Sequence, residues 1–133
     1  MEVLVRFALC VVACCLGASV ARAEAPSLVT KSYKVSVGAT LTIGTFGQHN
    51  AKTCEHIGSG SIRITKYPSL GGVSTTDYQP FVLKNSISGT CIGSQQLGTK
   101  VDYLAKGAGN DNFEFDVVFN NGTMHYIVNT TNH

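Results

Sequence analysis

Asn112-Phe113-Glu114-Phe115-Asp116-Val117-Val118-Phe119-Asn120-Asn121-Gly122-Thr123-Met124-His125-Tyr126-Ile127-Val128 is the stretch that decides how the chain is read. Phe113, Phe115, Val117 and Phe119 alternate with Glu114, Asp116, Val118 and Asn120. Beyond Asn121-Gly122 the alternation resumes, with Met124, Tyr126 and Val128 set against His125, Ile127 and Asn129. Successive side chains of a strand point to opposite faces, so a period of two gives each strand one apolar face for a core. Asn-Gly tolerates the positive φ angles of a two-residue turn, and with alternation on both sides it is a strong hairpin signal. The expectation is an aromatic inner face, with Glu114, Asp116 and His125 on a solvated outer face.

Working outward, residues 98–104 read as a strand with Val101 and Tyr103 inward against Lys100 and Asp102. A glycine and asparagine connection, 105–112, follows it and is expected to turn at Gly109-Asn110-Asp111. Residues 61–66 form another strand, with Ile62 and Ile64 inward and Arg63 outward. Tyr67-Pro68-Ser69-Leu70-Gly71-Gly72 is turn material, because Pro68 fixes its own φ and glycine accepts positive φ. Residues 73–76 return as a partner. Pro80 has no N–H to give a ladder, which makes its segment an edge or a loop. Phe81, Leu83 and Ile87 are expected in the core. Earlier strands are expected at 28–37 and 41–43, and the polar, glycine-bearing stretch 44–60 is read as a long loop or an irregular edge anchored through Cys54. No amphipathic helix of useful length is present. The chain is therefore all-β, with about seven or eight short strands at intervals of about ten residues, the spacing of a sandwich or small barrel. Clean alternation in the last strands favours the sandwich.

The amino terminus is of a different kind. Residues 3–21 are almost continuously apolar or small, and Ala21-Arg22-Ala23 has the small-x-small pattern of a signal-peptidase site. The reading is a secretory signal at 1–23 and a single domain at 24–133, with Ser19-Val20-Ala21 as an alternative cut. Lipidation at Cys14 is a further alternative, from the loose lipobox Val11-Val12-Ala13-Cys14. Export implies a periplasmic or secreted protein with no membrane span in its mature form. Removing the signal changes ten basic and eight acidic residues to eight and seven. With no basic cluster, nucleic acid and anionic membranes are poor partners. Of the five cysteines only Cys54 and Cys91 remain. In an oxidising compartment they permit one pairing, a structural disulfide worth about 4 kcal/mol on the chain-entropy model.

Several motifs resemble one family. Ile62-Arg63-Ile64-Thr65-Lys66-Tyr67-Pro68-Ser69-Leu70-Gly71-Gly72-Val73 is similar to the strand and proline-bearing turn of bacterial exported Ig-like or cadherin-like domains. Gly98-Thr99-Lys100-Val101-Asp102-Tyr103 resembles their Gly-Thr-x-Val-x-Tyr strand. Gly107-Ala108-Gly109-Asn110-Asp111-Asn112-Phe113-Glu114-Phe115 resembles their Gly-x-x-Gly-x-Asp-x-Phe-x-Tyr segment, with Phe115 in place of the tyrosine. These matches follow the family's order over most of residues 60–128. The resemblance implies an Ig-like Greek-key β-sandwich used for adhesion, structural support, or carbohydrate or protein contact. Some cadherin-like relatives hold calcium between domains through acidic and asparagine side chains.

The densest run of oxygen ligands, Asn110, Asp111 and Asn112 with Glu114 and Asp116 beyond, is the candidate for calcium. Against it, Asp111 can bond the local backbone instead, and no metal or other cofactor is expected. His49, His56, His125 and His133 share no metal-ligand spacing. Catalytic residues are not indicated: no nucleophile elbow stands among the many serines. Tyr67, Tyr78 and His125 are the candidate binding surface, with Phe46 and Tyr33 as further candidate aromatics; Tyr67 and Tyr78 lead because they lie in or beside loops. The functional expectation is a non-catalytic binding or structural module of the bacterial cell envelope, a monomer or weak dimer, with an unknown protein or carbohydrate partner. An inhibitor or accessory protein docking on a larger secreted partner is one alternative. A small secreted hydrolase is another, and it needs acid and base residues converging with perturbed pKa values.

Overall fold

The computed structural model describes residues 25–84 and 89–133. The secretory signal at 1–23, Cys14 and the core role given to Ile87 lie outside the described residues. Eight strands form among the described residues: β1 (Ser27–Val35), β2 (Thr40–His49), β3 (His56–Ser59), β4 (Ser61–Lys66), β5 (Gly71–Val82), β6 (Gln95–Ala105), β7 (Gly109–Phe119) and β8 (Gly122–Asn132). They make two four-stranded sheets, ordered β1-β8-β7-β4 and β3-β2-β6-β5, packed as a β-sandwich. β1 runs parallel to β8, and the other pairings are antiparallel. Among the described residues, no helix is long and apolar enough to cross a membrane.

The β7–β8 hairpin forms in the register that its alternation demands, with Phe113 opposite Val128, Phe115 opposite Tyr126 and Val117 opposite Met124. Phe113, Phe115, Val117 and Val128 are completely buried. Val101, Tyr103 and Ala105 of β6 meet them from the other sheet, also completely buried. Phe115 stacks on Tyr126 with centroids 4.9 Å apart, and Phe46 of β2 meets both rings edge-on. Tyr103 stacks on Phe113 at 5.2 Å. Offset and edge-on rings suit the aromatic quadrupole, so this cluster adds directional preference to plain burial.

Three local expectations need correction. β2 does not stop at Ile43 but continues to His49, and of the two readings of 44–60 the edge holds for β3, a short edge strand. Gly44 follows the irregularity in the β2–β6 register, so it marks a bulge in the strand and not its end. Gly47 is small because the Leu97 carbonyl and the Phe81 ring occupy the space of a side chain. Gly47→Ala is therefore expected to cost about 1–3 kcal/mol, read as a lower urea midpoint with an unchanged slope. β5 extends well past Thr76, absorbing Pro80 on its free edge after a bulge at Asp77 and Tyr78. β7 begins at Gly109, so Gly109-Asn110-Asp111 opens the strand and does not form a turn.

Cys54 and Cys91 are joined in a disulfide. It ties the β2–β3 loop to the short 3-10 turn Gly89–Cys91 that precedes β6. Beside it the buried Gln96 side chain donates from Nε2 to the Cys54 carbonyl at 2.8 Å.

Candidate functional site

Three groups of polar side chains stand out. The first is buried at one end of the sandwich, around the Asp111 carboxylate. Oδ1 accepts from the Ser69 N–H (2.8 Å) and the Asn112 N–H (2.9 Å). Oδ2 accepts from the Leu70 N–H (3.0 Å) and the Tyr103 hydroxyl (2.7 Å). Asn132 Nδ2 in turn donates to the Tyr103 oxygen at 2.8 Å and to the Gly107 carbonyl at 3.0 Å. The carboxylate thus ties the β4–β5 turn to Tyr103 of β6, and Asn132 at the end of β8 ties Tyr103 to the β6–β7 connection. Burial pushes its pKa up, but the hydrogen bonds from Tyr103, Ser69, Leu70 and Asn112 outweigh that and hold the group below the usual carboxylate range. The same burial pushes the Tyr103 phenol up.

The other calcium candidates are committed elsewhere. Lys66 Nζ donates to Asn112 Oδ1 at 2.7 Å, and Asn112 Nδ2 donates to Asn129 Oδ1 at 2.7 Å. Asn110 Oδ1 accepts from Thr131 Oγ1 at 3.3 Å. Asn110, Asp111 and Asn112 follow one another along β7 and line one open cleft, which they share with the Lys66 ammonium. Among the described residues, no three His, Cys, Asp or Glu side chains are arranged to hold a metal ion.

The second group lies on the outer face of the β1-β8-β7-β4 sheet. Pairing sets Leu28, His125, Asp116 and Arg63 side by side in one row across four strands. Arg63 Nη2 donates to Asp116 Oδ2 at 2.6 Å. His125 lies 2.5 Å from Asp116 Oδ1 through Nδ1 and 2.9 Å from Glu114 Oε1 through Nε2. Asp116 is buried and the His125 side chain only 19% exposed, so this part of the hairpin is not the solvated surface that its alternation suggests. Hydrogen bonding to Asp116, then to Glu114, raises the His125 pKa despite the opposing effect of burial. Hydrogen bonds from Arg63, then from His125, lower that of Asp116.

Comparison of the chain with protein-family models, curated proteins and solved structures finds no match.

The row has a consequence for stability. A histidine whose folded pKa lies above its unfolded value, about 6.5, contributes fully below that value. The contribution fades as pH rises through the folded pKa. Asp116, with a depressed pKa, contributes above the unfolded carboxylate value of about 3.9 and is lost as pH falls through its own folded pKa. Urea midpoints measured from about pH 5 to 9 are expected to decline on the alkaline side, and His125→Gln is expected to flatten that decline.

The third group surrounds an open cleft of about 550 Å³ where the chain crosses from β3 to β4, facing the β5 bulge. Tyr78 lines it with 77% of its surface exposed. Tyr67, 71% exposed, stands apart in the β4–β5 turn. The three residues expected to form a binding surface are thus not one patch: His125 belongs to the ion-paired row and each tyrosine has its own surroundings. Sequence reasoning missed the row because it joins β4 to β7, fifty residues away, through a pairing that no local pattern encodes.

Proposed function

We propose that the chain is an exported, non-catalytic binding or structural module of the bacterial cell envelope, built on an Ig-like Greek-key sandwich at 24–133. The sheet orders support the fold reading. With β1 taken as strand A′, β8-β7-β4 correspond to G-F-C and β2-β6-β5 to B-E-D of the immunoglobulin arrangement. β3 is then an addition, and pairing of the first strand with the last is a variation on the sheet assignment.

The observation that carries the functional reading is how the polar groups are used. The buried carboxylates of Asp111 and Asp116 are engaged by donors of the fold itself, while Tyr67 and Tyr78 project large rings into solvent. Exposed aromatics beside loops provide contact area at low entropic cost and are frequent anchors of recognition. The hydrolase alternative would use the His125, Asp116 and Glu114 cluster. There, both imidazole nitrogens already face carboxylates, so the ring has no free nitrogen with which to take a proton from a substrate.

The test is co-sedimentation of the purified protein with insoluble cell-wall material, with the supernatant assayed for released fragments. Saturable retention without fragment release is expected. Fragment release that is lost in His125→Ala would replace this reading with the hydrolase.

A further inference from the structure

Two independent observations meet at the cleft beside the β5 bulge, and from them we propose that it binds a neutral saccharide, with the Tyr78 ring as its stacking surface. The inference rests on the reading of the chain as a binding module and names the ligand class.

The first observation is conformational. Tyr78 has φ 55°, one of two non-glycine residues among those described with positive φ. This region is unfavourable for a bulky aromatic side chain, whereas glycine or asparagine would relax it. Nothing in the core repays the strain, because the ring stands 77% exposed. It is held there by the β5 bulge, which leaves Asp77 and Tyr78 without ladder partners between Thr76 and Gln79. Strain that persists at an exposed residue points to use of that residue in its imposed position.

The second observation is the cleft itself. Tyr78, Asp77, Thr75, Ser59, Ser61 and His56 contribute an aromatic face, a carboxylate, hydroxyls and an imidazole. Gly58 and Gly60 line the same wall without side chains, and at Gly60 a Cβ would press on Val117 and Phe119. Thr99 Oγ1 donates to Asp77 Oδ1 at 3.2 Å, which fixes the carboxylate while Oδ2 carries no hydrogen bond among the described residues. The cleft is open to solvent, and its volume, about 550 Å³, falls within the range of small-molecule sites.

The chemistry selects among ligands. No lysine or arginine lines the cleft, so a phosphate or sulfate would meet the Asp77 carboxylate with no permanent countercharge beside it. A peptide adding to the free edge of β5 would meet the bulge and Pro80, which break the ladder. A pyranose ring has a C–H face suited to stacking on tyrosine and hydroxyls at its rim that can donate to Asp77 and exchange hydrogen bonds with the serines.

The test is a ¹⁵N-labelled titration of the purified protein with maltotetraose, cellotetraose and mannotetraose at millimolar concentration, with inorganic phosphate as a separate arm. At least one tetraose is expected to shift amides within 59–61 and 75–78 saturably. Tyr78→Phe keeps the ring and should retain affinity, while Tyr78→Ala and Tyr78→Gly should weaken it about tenfold or more. Tyr78→Gly should also melt no lower than the parent, since glycine accepts φ 55°, so its loss of binding cannot be ascribed to unfolding. The proposal is overturned if none of the three sugars shifts these amides, if binding is indifferent to Tyr78→Ala, or if phosphate alone shifts them. An envelope ligand retained by Tyr78→Ala in the absence of any sugar response would overturn this inference and leave the module reading standing. Shortening of a tetraose during the titration would overturn the module reading itself.

Discussion

Replacing Asp111 with alanine is expected to lower the unfolding free energy by about 3–5 kcal/mol, seen as a large fall in the urea midpoint. The substitution removes one carboxylate and leaves four donors without an acceptor: the N–H groups of Ser69, Leu70 and Asn112 and the Tyr103 hydroxyl. Tyr103 is completely buried, so its hydroxyl cannot turn to water. Asp111→Asn keeps the shape but points an amide N–H₂ at donors, and should cost about 2 kcal/mol. The pH dependence follows from the sign of the shift. A carboxyl held below its unfolded value stabilises above that value, about 3.9, and the contribution disappears as pH falls through the folded pKa. Asp111→Asn should therefore make the acid limb of the stability profile shallower. A loss below about 1 kcal/mol for Asp111→Ala would mean that the carboxylate does not hold this end of the sandwich together.

Loss of the Cys54–Cys91 disulfide is the second large effect, at about 4 kcal/mol on the chain-entropy model. The bond spans a sequence separation of 37 residues and encloses β3, β4 and β5. Its release also frees the segment whose Cys54 carbonyl accepts from Nε2 of the buried Gln96. The variant with both cysteines changed to serine should melt well below the parent, and adding reductant to the parent should bring it to the same Tm. Amide exchange should accelerate first at 50–56 and 89–96, while the β7–β8 hairpin keeps its protection until global unfolding. Equal acceleration in both regions would assign the disulfide a global role and no local one.

What could be read in the sequence followed the range of the interactions involved. Phe113, Phe115, Val117 and Val128 announced their faces because alternation is local and Asn121-Gly122 fixes the register of the hairpin. Cys54 and Cys91 were legible as a pair because the reading left only two. By contrast, Gly44 and Gly47 carry the same letter as a chain break. Only the Leu97 carbonyl and the Phe81 ring, on other strands, explain why Gly47 sits inside β2. Alternation placed Asp116 and His125 on the outer face correctly but could not show that Arg63 lies beside them. Opposite charges in one row partly bury one another, and an outer position is then no longer a solvated one. Tyr78 was legible as a loop-side aromatic, but its positive φ and the cleft beneath it depend on how β5 bulges against β6.

Asp111 and the row of Arg63, Asp116 and His125 maintain the fold, whereas the cleft at Tyr78 and Asp77 is the proposed contact surface. Amide shift mapping of the labelled protein, with solubilised cell-wall material as the titrant, tests that division most directly. Saturable shifts concentrated at 59–61 and 75–78, with the titrant chemically unchanged, are the predicted result. Shifts centred on His125, Asp116 and Arg63, accompanied by cleavage of the titrant, would contradict it.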